Sequence, residues 1–203
     1  VQLLTNTTHY LSLQVDLRTC TYKSFERYAD KNATLAFGIN HTIFGHSKGI
    51  RKDDTGFHSF GSYTDLRPCL CIRDGGLVST IKPNNPYWDI EAHQYMWQAG
   101  PSVIEWREFG VPVKHEKFES SFIRNENFEA RSNYLIAGNT ATGKLIVALG
   151  TDISLKEMCT HLCNTRCQYA MICNSEHIYF RLSYNDLNVS IGKLGFGLQI
   201  EKV

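Results

Sequence analysis

The sequence predicts an α+β fold: one domain over residues 1–203, made of mixed or antiparallel sheet with hairpins and two or three packed helices. Three observations predict it. Strand-length runs of alternating or continuous apolar residues recur along the chain, glycine-centred turns join several of them, and one segment carries a helix-start signature. Strands outnumber helices by several to one.

Residues 9–17, HYLSLQVDL, alternate apolar and polar side chains as a half-buried strand does. Residues 23–30 are expected to form a short helix, and 33–39, ATLAFGI, an inner strand. From Gly45 to about Tyr63 the chain is rich in glycine, histidine and charge without a period, and is expected to be a long surface loop. In residues 67–81, Asp74-Gly75-Gly76 separates two β-rich runs; glycine accepts the positive φ that a tight hairpin requires, so a hairpin is predicted. Pro83, Pro86 and two asparagines make 82–94 an excursion, followed by strands at about 95–98 and 101–106 and a polar connection to about Asn127.

Residues 130–137 and 144–149 are apolar runs joined by Gly138 through Gly143, again a hairpin. Ser154-Leu155-Lys156-Glu157 is a capping box: the serine hydroxyl can accept from the Glu157 amide while the glutamate reaches back to the serine amide. A helix over about 154–166 should follow, then strands at 168–173, 177–183 and 196–202. No repeat or linker-like boundary interrupts the order.

With 203 residues and 42% apolar content, the chain can bury one substantial core. Lysine plus arginine (21) nearly balance aspartate plus glutamate (20), and the net charge of +1 argues against nucleic acid and anionic membranes as partners. No apolar run approaches the roughly 20 residues that span a bilayer, so a soluble chain is expected. Residues 1–15 lack the order of a signal peptide, so a targeting segment has been removed or never existed. Seven cysteines without regular spacing favour reduced thiols and the cytoplasm over secretion, although Asn6, Asn32, Asn40 and Asn188 each head an N-x-Ser/Thr sequon.

Several motifs invite chemistry. Gly138 to Leu145 nearly matches a phosphate-binding loop, but Leu145 has no hydroxyl for magnesium and Ile146-Val147-Ala148-Leu149 reads as strand, so a plain hairpin is expected. Cys159, Cys163 and Cys167 recur every fourth residue, which could hold a soft metal, yet no CxxC pair is present and packing is the expected role; no metal or cofactor is assigned. Cys69 and Cys71 read the same way. His41, His46 and His58 fall within the expected loop, and Trp88, Trp97 and Trp106 with Tyr87 and Tyr95 form an aromatic group read as core plus hairpin surface.

Taken in order, several segments resemble the phosphodiester glycosidase family, the N-acetylglucosamine phosphodiester glycosidases or uncovering-enzyme-like domains. These are Gly38-Ile39-Asn40-His41-Thr42-Ile43-Phe44, Ile72 to Val78, Gly100-Pro101-Ser102-Val103-Ile104, Ala130-Arg131-Ser132 through Leu145, and Ala170-Met171-Ile172-Cys173-Asn174-Ser175-Glu176. The resemblance spans roughly residues 10–180 and rests on their order. It puts Asn174 where the family has aspartate and Ser175-Glu176 where it has two glycines, and His41 and Thr42 replace two further glycines.

The resemblance implies hydrolysis of a sugar joined through its anomeric carbon to a phosphodiester. Such chemistry needs a cation for the phosphate, for which Arg131 offers a planar fork of donors, and carboxyl groups near the anomeric carbon. The implied catalytic set is Glu176, Glu129 and Asn174; Asn174 cannot act as a carboxylate base, so Glu176 or Glu129 would substitute. The implied ligand-binding set is Asn40, His41, Arg131 and Ser132, and the expected partner is a small phosphorylated sugar or nucleotide-like molecule. The alternative reading is a catalytically inactive binding or structural protein, a viral one for example, that retains the fold. For Arg131 the competing role is a structural ion pair.

Overall fold

Side-chain alternation decides which strands can be covered on one face and which on two. The computed structural model describes residues 1–39, 42–43, 46–47, 49–60, 67–86, 88–106, 112–114, 128–175 and 177–201. In chain order the strands are β1 (Gln2–Asn6), β2 (Tyr10–Val15), β3 (Tyr22–Arg27), β4 (Ala33–Gly38), β5 (Thr42–Ile43), β6 (His46–Ser47), β7 (Gly49–Asp53), β8 (Gly56–Phe60), β9 (Cys69–Arg73) and β10 (Val78–Ile81). They continue with β11 (His93–Gln98), β12 (Ser102–Trp106), β13 (Pro112–Lys114), β14 (Arg131–Thr140) and β15 (Leu145–Ser154). Helix α1 (Leu155–Asn164) follows, then β16 (Cys167–Asn174), β17 (Phe180–Tyr184), β18 (Leu187–Ile191) and β19 (Gly195–Glu201).

These strands form a seven-stranded sheet in the order β1-β2-β15-β14-β16-β12-β13, two five-stranded sheets, β10-β9-β11-β7-β8 and β18-β17-β4-β19-β3, and the ribbon β5-β6. Every pairing among the described residues is antiparallel. One face of the seven-stranded sheet sends Leu13, Leu135, Ala137 and Val147 into a core shared with Leu70, Ile72 and Trp97 of one five-stranded sheet and Leu35, Phe37 and Leu198 of the other. Its opposite face sends Tyr134, Ile136, Ile146 and Ala148 against Leu155, Met158, Cys159 and Leu162 of α1. The central strands β14 and β15 are therefore buried on both faces, which is why their sequences read as continuous apolar runs. Each buried Leu, Ile or Val there contributes about 1.5–3 kcal/mol.

The expected α+β class is corrected to a mostly β architecture. Of the described residues 60% lie in strands and 8% are helical, with one α-helix instead of two or three. The physical reason is that sheets cover sheets: the faces on which further helices were expected are packed against other strands. Residues 23–30 show the same override, since Tyr22–Arg27 is strand β3, paired with β19 from Gly195↔Arg27 to Ile200↔Tyr22. A non-local ladder outweighs a weak local helical preference. The expected loop after Gly45 instead contains the β7–β8 hairpin, with Gly49↔Phe60 and Asp53↔Gly56 in register.

Two local devices set the geometry. In the β9–β10 hairpin Gly75 and Gly76 take φ of 87° and 86°. A Cβ on Gly76 would lie 2.7 Å from the Leu17 carbonyl carbon, so this turn also lets the hairpin close onto the 3₁₀ turn Leu17–Thr19. At the other turn, Ser154 caps α1 with the reciprocal bonds of a capping box. The helix ends at Asn164 and Cys167 belongs to β16, so the three cysteines spaced every fourth residue do not share one helix; all seven cysteines are free thiols. Cys159 and Cys167 pack in the α1-side core, and Cys69, Cys71 and Met96 form a smaller cluster. Burial pushes the Cys71 thiol up to about 12. Trp97 is buried and stacks on Tyr95 at 5.6 Å between ring centroids.

Candidate functional site

Arg131 opens β14 directly opposite Ser154, the residue that caps α1. Between Ser132 and Tyr134 the β14–β15 register shifts, so that two residues of β15, Thr151 and Asp152, oppose the single Asn133 of β14. Asp152 lies in this irregularity with φ of 49°, and its amide donates to Asn133 Oδ1 at 3.0 Å. The shift turns Asp152 toward Arg131. Arg131 Nε donates to Asp152 Oδ1 at 3.4 Å, Nη1 to Glu157 Oε2 at 3.3 Å, and Nη2 to the Asp152 carbonyl.

Glu157 is fixed from the other side by the cap, accepting from the Ser154 amide at 3.0 Å and from its hydroxyl at 2.8 Å. Those hydrogen bonds, the backbone one foremost, hold its carboxyl below the ordinary range, and the Arg131 charge adds to them. Glu129 Oε1 accepts from Lys156 Nζ at 2.8 Å, and that ion pair likewise lowers its pKa. The corner is exposed: the Arg131, Asp152 and Glu157 side chains are 47%, 67% and 50% accessible. Solvent screening limits each such pair to about 0–1 kcal/mol. Ser132 is exposed beside it.

Asn174 ends β16 and is buried. Its Nδ2 donates to the His177 carbonyl at 2.9 Å, and its Oδ1 accepts from the His177 amide at 3.0 Å. The side-chain amide thus closes the 174–177 turn. Asn174 is paired with Leu135, four residues along β14 from Arg131, a span of about 13 Å at strand rise. Leu135 points into the three-sheet core, whereas Arg131 reaches to α1 on the other face.

The structure brings Arg131, Glu129 and Ser132 to one corner with Asp152, Lys156 and Glu157, and puts Asn174 farther along the same end of the sheet. Asn40, His41 and Glu176 lie outside the described residues. Of the partners that sequence reasoning missed, Glu157 carried a signal, because the capping box places it beside the cap residue opposite Arg131. Asp152 carried none, since its approach depends on the register shift. Among the described residues no group of three or more His, Cys, Asp or Glu side chains is placed to hold a metal ion. Two grooves lie at the opposite end of β14, one beside Asn139 and Tyr169 and one around the 140–144 turn.

The architecture has counterparts of known structure. The catalytic domain of zebrafish N-acetylglucosamine-1-phosphodiester α-N-acetylglucosaminidase, auto-inhibited by its pro-peptide, superposes with a TM-score of 0.61 at 13% identity, over 96% of this chain and 73% of that one. The likeness is one of fold. A hypothetical protein from Synechocystis gives the same TM-score at 8% identity, over 98% of this chain and 61% of its own. No family model and no curated protein matches the sequence. The relationship to the phosphodiester glycosidase is therefore distant and structural.

Proposed function

We propose that this chain is a binding domain built on the glycosidase fold, which takes a phosphorylated sugar or nucleotide-like ligand at the Arg131 and Asn174 end of the sheet without hydrolysing it. The observation that carries the reading is Asn174. Where the resembled family has an aspartate, this chain has an amide whose nitrogen and oxygen both hydrogen-bond to the His177 backbone, and an amide cannot accept the proton that water activation requires. Binding at this end is supported by the likeness to the zebrafish glycosidase domain and by the guanidinium of Arg131, although a phosphate there must compete with Asp152 and Glu157.

Hydrolysis is the second reading, favoured by the carboxylates around Arg131, with Glu129 or Glu176 as the acting group. Incubation with glycosyl phosphodiesters, followed by measurement of released sugar, separates the two. The binding reading expects no release above the blank, together with saturable binding of N-acetylglucosamine 1-phosphate that Arg131→Ala weakens. Sugar release by the parent chain, abolished in Arg131→Ala, would replace it with the hydrolase reading.

A further inference from the structure

The near match to a phosphate-binding loop at Gly138 to Lys144 has no role at the Arg131 end, yet its lysine has a partner that the sequence hides. Thr140, the last residue of β14, pairs with Cys167, the first of β16, so Arg166 arrives beside the 140–144 turn. That turn is closed by the Thr140 amide donating to the Lys144 carbonyl at 3.0 Å and by the Lys144 amide donating to Thr140 Oγ1 at 3.2 Å. Lys144 and Arg166 thereby line one groove of about 440 Å³ with Gln14, Thr142 and Gln168. Among the described residues no aspartate or glutamate lines it.

Among the described residues neither Lys144 nor Arg166 enters an ion pair. Asp16 feels the Lys144 charge, but its carboxylate is held first by Arg18, whose Nε and Nη2 donate to it at 2.7 Å each. Arg166 stands in the left-handed region with φ of 61°, a conformation that non-glycine residues adopt at a cost, and its amide bonds to the Cys163 carbonyl at 3.1 Å. The backbone thus fixes where Arg166 leaves the chain, beside this turn. Its position after the end of α1 also complements the negative end of the helix dipole, a role that needs one cation and leaves Lys144 unexplained.

We propose that this groove binds a doubly charged phosphoryl group, with Lys144 and Arg166 as its two cations and the Thr142 hydroxyl and the Gln14 and Gln168 amides as further donors. Two monocations with no lining carboxylate among the described residues match a dianion in charge, and guanidinium and ammonium donors match phosphoryl oxygens. Serving as a charge clamp at the sheet end opposite Arg131, the site is separate from the one proposed above.

The test is titration of the full chain with inorganic phosphate at about pH 8, above the second phosphate ionisation, at constant ionic strength set with chloride, followed by amide NMR shifts. Saturating shifts at Thr142, Lys144, Arg166 and Gln168 are expected, and Lys144→Gln and Arg166→Gln should each weaken binding about tenfold, as loss of a charge-assisted hydrogen bond does. Both side chains project from turns, and unchanged shifts elsewhere verify that the variants fold. Non-saturating shifts, equal affinity in the parent and both variants, or shifts confined to the Arg131 corner would overturn the proposal. Arg131→Ala should leave the shifts at Thr142, Lys144, Arg166 and Gln168 unaltered, whatever it does to shifts at its own corner.

Discussion

Gly138 begins the phosphate-loop-like motif, and the structure gives its side-chain-free backbone a different reason. An alanine Cβ there would sit 2.0 Å from the Tyr169 carbonyl oxygen and 2.9 Å from the Cα and Cβ of Ala170, where real Cβ atoms essentially never come within 3.0 Å. Strands β14 and β16 would have to part by about 1 Å, enough to take ladder hydrogen bonds near 2.9 Å out of range. Loss of two such bonds at about 1 kcal/mol each, with overpacking strain of about 1–3 kcal/mol, predicts that Gly138→Ala destabilises by about 3–5 kcal/mol. In urea unfolding with a slope of about 2 kcal/mol/M, the midpoint falls by about 2 M. Gly150→Ala is the control. Its Cβ would meet Met158 Sδ and Ile153 Cγ2 at 2.5 Å, and these are side-chain atoms, the methionine a flexible one, so about 1–2 kcal/mol is expected. A Gly138→Ala stability within about 0.5 kcal/mol of the parent, or a costlier Gly150→Ala, would refute the close-approach argument.

Ser154→Ala removes the acceptor for the Glu157 amide and one of its carboxylate's donors, and should cost about 1 kcal/mol, read as a melting temperature lower by about 2–4 °C. Arg131→Ala should change stability by no more than about 1 kcal/mol in chemical unfolding, because its partners are half exposed or more. His93 donates from Nδ1 to the Asp89 carbonyl at 2.6 Å, and its Nε2 is buried without a partner among the described residues. Burial holds its pKa below the ordinary 6.5, so the unfolded chain takes up the proton first. Its contribution to stability is complete above that value and is lost as pH falls from there through the lower folded pKa. Stability measured by urea unfolding should therefore decline across this window, and His93→Gln should flatten the decline.

Much of the strand order was legible because it follows from local pattern. The Asp74-Gly75-Gly76 hairpin, the β14–β15 hairpin and the Ser154 cap all occur where turn chemistry and capping chemistry place them, since a positive φ or an unpaired helix amide is a local need. At the candidate site Arg131 came from the resemblance to the glycosidase family, and the capping box tied Glu157 to Ser154 without naming it as a partner of Arg131. Neither supplied Asp152, whose approach depends on a register shift between two strands.

By itself the sequence determined which segments are apolar, where the chain turns and where its helix starts, because these depend on residues within a few positions of one another. The tertiary structure alone decided that sheets cover sheets, that residues 22–27 join β19 as a strand, and that Gly138 must lack a side chain beneath Tyr169. It also decided that Lys144 and Arg166 line one groove. Each of these is a contact between residues far apart in the chain, set by strand register and packing, and register is a property of the pairing and not of either strand alone.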